Sequence, residues 1–532
     1  MNKGFRQSQS TLHTWSGLLL GWVLFLVFLC GTIAFWREGL NRYMRPELAR
    51  VEQPMTVLAG AQAFLQTKAP DAKSWSITMP NTRIPGSQVF WQPQPKEGEE
   101  PTRGRRGRGD TRALIGEDGQ VVEARETRGG EFFYRFHFDL YYMPVIWARW
   151  LVGAAAMMML VAILSGIVTH KKIFRDFFTL RRQKGQRSWL DGHNASAVLA
   201  LPFHLMITYT GLVTLMAMLM PWAILANYTD RDKLSDALFP SSAEVERAGQ
   251  PTPLVKLTSL VLDAERRLGV PAGFIQVSEP GDASARVTVN AASSATLSSR
   301  TASVTYNGTN GALVWQSPPS GPAATTSGVM IGLHAGRFAD ITLRWIYFLC
   351  GAAGTLMVAS GLVLWTVKRR EKLPDPSRPH LGFHIVERLN VAVIGGFPFA
   401  IACMFWANRL LPVAMKDRAD WEVHTLFIGW GLALVFVLVR RPALSWVALL
   451  GATGVLLAAL PFYNLLRFNQ NLLTPLRTGD LLPAGVDISL LIIAAAFVAV
   501  ARRVASYKTG QAKRRSRRHA DPQTGLMLEP AE

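Results

Sequence analysis

Long uncharged stretches govern what this chain can become. No charged residue stands between Thr14 and Trp36. Further uncharged runs cover Trp150–Thr169, His193–Tyr228, Trp345–Val367, Leu389–Asn408, Val423–Val439 and Ala443–Leu466. A helix needs roughly 20 apolar residues to cross a bilayer core of about 30 Å. With Leu481–Ala501, interrupted only by Asp487, the runs predict eight spans. The composition agrees: 18% of the 532 residues are charged, below the quarter or so typical of soluble domains. The first span reads as a retained helix, because the bulky Thr32–Trp36 stretch offers no small-x-small cleavage site.

Orientation follows from the basic residues in short connections. The loop Lys171–Arg187 holds seven, Lys368–Arg388 holds six, Arg440-Arg441 separates two later spans, and the tail carries Lys513-Arg514-Arg515 and Arg517-Arg518. Alternation of eight helices puts all of these on one side, which is then the cytoplasm, so an inner-membrane protein with both termini cytoplasmic is predicted. The net charge of +20 largely reflects this rule, with anionic lipid as the tail's partner and no nucleic acid implied. The Arg103–Arg108 run falls in an outside loop as a flexible insertion. The layout expected is a first span in 1–36, an outer domain 37–143, a span 144–170, a basic loop 171–192 and a third span 193–223. A second outer domain 224–340, a span 341–367, a loop 368–388, four more helices in 389–503 and a basic tail 504–532 follow. The fold class is an α-helical polytopic membrane protein with two small α+β domains outside.

An internal repeat organises the first 370 residues. Arg149-Trp150 through Ser165-Gly166 overlays Arg344-Trp345 through Ser360-Gly361 in register. His137 stands twelve residues before Arg149, and His334 ten before Arg344; His13 opens the first span and His193 the third. Each half reads histidine, span, outer domain, histidine, span, as duplication of a two-helix unit would give. In the outer domains, Pro54–Lys68 and Pro253–Leu268 have helical apolar spacing. Strands are predicted at Ser74–Met79, Gln88–Gln92, Phe274–Val277, Ala285–Val289, Ala302–Tyr306 and Ala312–Gln316. The last four spans contain few polar groups and read as scaffold.

Cys30, Cys350 and Cys403 all lie inside spans and no CxxC occurs. That argues against iron–sulfur clusters, structural zinc, covalent c-type haem and disulfides in the outer loops. No GxGxxG or Walker motif marks a nucleotide domain. Ionisable side chains within spans are functional candidates by default. His204 lies within the third span, eleven residues after His193, or three helical turns and roughly 16 Å along the axis. The spacing suits two metal centres, one toward each side, and haem is the cofactor that imidazole ligands fit. A cytoplasmic centre would draw on two of His13, His170 and His193; an outer one on His204 with His334 or His137. Against this, His137 and His170 also read as interfacial residues, as do His380, His384 and His424; His519 belongs to the tail. The Met157–Met159 run reads as packing.

Four motifs then become informative. Leu12-His13-Thr14-Trp15-Ser16-Gly17-Leu18, Ser165 through Phe174, Pro202-Phe203-His204-Leu205 and Leu333-His334-Ala335-Gly336-Arg337-Phe338 resemble the PepSY-associated transmembrane proteins, iron-regulated inner-membrane proteins of Gram-negative bacteria. The resemblance covers about Met1 to Arg370. It implies PepSY-like outer domains, b-type haem (two groups) held collectively by His13, His170, His193, His204 and His334, and a ferric-siderophore reductase activity. Electrons would come from quinol or a separate cytoplasmic reductase and reach a periplasmic ferric siderophore, releasing iron for uptake. The rival reading is a membrane-anchored, peptidase-modulating binding protein without redox chemistry. The Arg-rich insertion and the four extra helices depart from the minimal family pattern.

Overall fold

The computed structural model describes residues 4–48, 51–81, 83–84, 86–95, 111–169, 181, 185–227, 233, 240, 245–375 and 378–519. His170 and the Arg103–Arg108 run lie outside them. The chain divides into two compact units, Met1–Val367 and Lys368–Glu532. Six helices are long and apolar enough to span a membrane, and two bent pairs bring the total to as many as eight. The protein is therefore a polytopic helical membrane protein with a small antiparallel sheet region.

In the first unit the duplication is visible in the backbone. Helices α1 (Phe5–Leu19) and α2 (Gly21–Ala34) meet at a 67° bend; α7 (Gln186–Leu199) and α8 (Leu201–Thr214) meet at 68°. The breaks, Leu20 and Ala200, have nearly the same dihedrals, φ −118° and −115°. Gly21 follows the first and Pro202 lies two residues past the second, both common kink residues. Gly21 also permits close packing, since a Cβ there would lie 2.7 Å from Leu362. The long spans are α6 (Val145–Thr169) and α11 (Ile341–Arg370). Each is preceded by a shorter helix, α5 (Gly129–Asp139) and α10 (Pro322–Ala335), and α3 (Arg37–Tyr43) follows α2.

Strands from the two outer segments join in one seven-stranded sheet. Strands β1 (Ser74–Thr78), β2 (Ser87–Gln92) and β3 (Arg112–Ile115) come from the first, and β4 (Ala272–Ser278), β5 (Arg286–Ala291), β6 (Ser303–Asn307) and β7 (Leu313–Gln316) from the second. Their order is β3-β2-β1-β4-β5-β6-β7. The joint is antiparallel β1–β4 pairing, with Trp75 opposite Val277 and Ile77 opposite Ile275. Separate sheets would each expose an edge of unpaired backbone groups; the joint removes both. It also buries those four side chains to 1% exposure or less, about 1.5–3 kcal/mol for each aliphatic one. Helices α4 (Pro54–Lys68) and α9 (Leu257–Leu268) complete the core with Leu58, Ala61, Leu65, Leu260 and Val261. Gln62 links them, donating to Val255 O at 3.0 Å and accepting from Leu257 N–H at 2.9 Å.

The second unit holds α12 (Leu381–Asn390), continued through a π-turn at Val391–Gly395 into α13 (Gly396–Leu410), then α14 (Arg418–Val439), α15 (Pro442–Arg467) and α16 (Leu481–His519). These spans are less apolar inside than their sequence suggests, because they share a buried polar network. Asn408, Arg409, Arg418, Glu422, Asn464 and Asp487 are all at most 6% exposed. Glu422 pairs with Arg418 and accepts from Asn408 Nδ2 at 2.6 Å. Arg409 donates to Asn464 Oδ1 at 2.7 Å, and Asn464 donates to Asp487 at 3.0 Å. Two cations and two anions on three helices neutralise one another through two amides.

Candidate functional site

Four histidines of the first unit form two pairs. His13 on α1 faces His193 on α7, with ring centroids 6.2 Å apart and planes at 69°. His137 on α5 faces His334 on α10 at 5.9 Å and 34°. The second pair belongs to the helices nearer the sheet, the first to the opposite ends of the spans.

Each imidazole is oriented in the same way, by Nδ1–H donation to a backbone carbonyl. His13 donates to Ala162 O at 2.8 Å and His193 to Met357 O at 2.9 Å. His137 donates to Val27 O at 2.6 Å and His334 to Ile207 O at 3.0 Å. A carbonyl only accepts, so each Nδ1 carries a proton; in the neutral imidazole the lone pair is then on Nε2. Residues 162 and 357 stand in the repeat register that aligns Arg149 with Arg344, and residues 27 and 207 in the one that aligns His13 with His193. Ser16 and Ser196, also equivalent, donate to the carbonyls of His13 and His193 at 3.3 and 3.0 Å.

A glycine lies against every ring. A Cβ on Gly166 would come within 3.2 Å of His13 Cε1, and one on Gly361 within 3.1 Å of His193 Cε1. On Gly31 it would come within 2.6 Å of His137 Cε1, and on Gly211 within 2.9 Å of His334 Cε1. Gly31 and Gly211 are again equivalent positions, as are Gly166 and Gly361. Thus the two halves contribute matching histidines, matching carbonyl acceptors and matching gaps.

Comparison with known families matches residues 10–368 to the PepSY-associated TM region. The chain belongs to that family. No curated protein matches it. The matched region of this PepSY-associated protein contains both histidine pairs, the joined sheet and the repeat.

The predicted site residues distribute differently from the expected pairing. His13 and His193 come together, while His170 lies outside the described residues. His334 meets His137 rather than His204. His204 is fully buried on α8, edge-on to Phe28 and Phe203, with Nε2 3.3 Å from Cys350 O. Its equivalent in the first half is Leu24, buried at 3%, so His204 stands outside the repeat. The bend at Ala200 separates it from His193, and α10 meets α8 farther along, at Ile207, Thr210 and Gly211. Sequence reasoning missed the four glycines, although extending the His13–His193 register would have aligned Gly31 with Gly211 and His204 with Leu24. Among the described residues, no group of three or more His, Cys, Asp or Glu is placed to hold a metal ion. Two imidazoles alone leave an ion under-coordinated, unless the remaining ligands come with it.

Proposed function

We propose that the first unit binds two b-type haems, one at each histidine pair, and carries electrons across the bacterial inner membrane to a ferric siderophore on the sheet side. The observation that carries this reading is the doubled geometry of the pairs. Two imidazoles that share one metal ion would have ring centres up to roughly 6.3 Å apart, from metal–nitrogen bonds of about 2.0–2.1 Å and the radius of each ring. The observed separations are 6.2 and 5.9 Å. A metal-ligating histidine almost always donates its other N–H to a carbonyl or carboxylate, and all four do so to carbonyls. A macrocycle supplies four ligands of its own, which suits sites with two protein ligands and no third. The glycines leave room beside each ring where a side chain would crowd the site.

Bound haem would supply reversible one-electron chemistry. The chain's own residues do the rest. Ala162, Met357, Val27 and Ile207 fix the tautomer and ring orientation through their carbonyls. The apolar α2 and α8 segments between the pairs exclude water. Fourteen residues separate His13 from Val27 along α1 and α2, so the pairs lie within about 21 Å of helix path, less than the thickness of a bilayer core. The donor is quinol or a separate cytoplasmic reductase, and both termini are cytoplasmic, supported by the basic connections. Each electron reduces one siderophore-bound ferric ion to ferrous iron, which hard oxygen donors hold less tightly. No proton donor on the protein is needed for that step.

The test is the absorption spectrum of detergent-purified protein before and after dithionite. Reduced b-type bands at two haems per chain are expected, and protein without such bands contradicts the proposal.

A further inference from the structure

The two sheet-side histidines are braced by different parts of the molecule. The helix of His137, α5, packs on α3, which continues from the membrane helix α2. A Cβ on Gly130 would lie 2.3 Å from Arg37 O, and one on Gly129 2.4 Å from Asn41 Oδ1. The helix of His334, α10, packs on membrane helix α8 and, beyond it, against a loop of the sheet. Its Gly328 and Gly332 lie against the loop 292–300 between β5 and β6. A Cβ on Gly332 would fall 1.7 Å from Leu297 O, and one on Gly328 2.2 Å from Ser298 Oγ. Ser299 N–H donates to Gly328 O at 2.9 Å. The loop is itself held by Thr296 Oγ1 donating to Ser298 O at 2.9 Å and Arg300 N–H donating to Ser298 Oγ at 3.2 Å. The gap left between loop and helix is about 10 Å³, room for about one water.

A second contact from the sheet reaches the other side of His334. Arg83, between β1 and β2, donates from Nη1 to Arg337 O at 2.8 Å and from Nη2 to Ala339 O at 2.7 Å. These carbonyls lie just past Gly336, which ends α10 at φ +61°. His334 is therefore held between two sheet contacts, one on the helix before it and one on the chain after it. Leu297, at the tip of the first contact, is 41% exposed.

We infer that the 292–300 loop and Arg83 are positioning elements for the His334 imidazole, through which the sheet governs the sheet-side histidine pair and not the other. Close backbone packing at Gly332 transmits displacement of the loop to α10 without slack. A shift of a few tenths of an ångström there acts on the 3.0 Å bond from His334 Nδ1 to Ile207 O, the kind of outer contact that orients a metal ligand. What that orientation controls rests on the haem reading; the mechanical coupling does not.

The test compares full-length wild type with Arg83→Ala and Gly332→Ala by hydrogen exchange and redox titration. Arg83→Ala is expected to speed exchange at Leu333–Ala335 at least tenfold and to leave Phe133–Phe136 of α5 unchanged. One redox centre should shift its equilibrium threefold to tenfold, about 30–60 mV for one electron, while the other keeps its potential. Gly332→Ala should do the same more strongly; if that variant does not fold, Arg83→Ala decides. Equal exchange changes in α5 and α10, or none in either, overturns the inference. Faster exchange with both potentials unchanged also overturns it, leaving the contact merely structural. Wild type without haem refutes the haem reading instead, and the exchange data still decide the coupling.

Discussion

Replacing Gly31 with alanine would place a methyl carbon 2.6 Å from both Cε1 and Nδ1 of His137. Ordinary carbon contacts lie near 3.5–4.0 Å, so the ring must retreat by about 0.9 Å. The bond from His137 Nδ1 to Val27 O is 2.6 Å; the same retreat stretches it toward 3.5 Å, where it ceases to be a hydrogen bond. Loss of an outer contact to a ligating histidine typically lowers metal affinity 10–100-fold, or about 1.4–2.8 kcal/mol. The assay is titration of haem-depleted protein with haem, followed by absorption. Gly31→Ala is expected to weaken one of two binding steps by that factor and leave the other unchanged. Gly211→Ala, with the equivalent 2.9 Å clash at His334, should weaken the same step. Gly17→Ala is the control, since a Cβ there meets nothing within 4 Å. Unaltered binding in Gly31→Ala and Gly211→Ala, or an equal loss in Gly17→Ala, would refute the reasoning.

Other positions give independent checks. His204→Leu, which installs the residue found at the equivalent Leu24, should retain both haems by absorbance; loss of one would return His204 to the ligand set. Glu422→Ala leaves the Arg418 guanidinium buried without its carboxylate. It should destabilise the second unit by about 3–5 kcal/mol in denaturation experiments, and a change under about 1 kcal/mol would show the network to be unimportant for stability. Asp282 accepts from Ser284 Oγ at 2.6 Å, Ser284 N–H at 2.9 Å and Ala248 N–H at 2.9 Å. The Ser284 bonds, foremost the hydroxyl, hold its carboxyl well below the ordinary carboxylate range. A folded value below the unfolded one means stability present above about pH 4 and lost as pH falls further; Asp282→Asn should flatten that acid limb in pH-dependent melts, and an unchanged limb would exclude Asp282 as its source.

The legible parts of this chain were those with local signals. Apolar runs marked the spans, alternation marked β1, β2 and β4–β7, and helical spacing marked α4. The β1–β4 joint left no such mark, because it pairs residues about 200 positions apart and either strand reads equally well as an edge. His137 carried a local signature of interface, Phe132 through Tyr142, which placed it behind His204 as the residue expected opposite His334. His204 carried the opposite bias: a histidine inside a span draws attention, yet the repeat shows it to be unmatched. The second unit's network escaped notice because Asn408, Arg418 and Asp487 each stand near a helix end. One polar residue there reads as interfacial, and only packing of the helices shows that they meet.

The account turns on two haem sites, each made by one histidine pair. The direct measurement is the haem-to-protein ratio, with reduced-minus-oxidised spectra, for purified wild type and for the His137→Ala/His334→Ala double variant. Two haems per chain falling to one in the double variant, with the remaining bands intact, is the predicted result. A wild type without haem, or a double variant that keeps both, would contradict it.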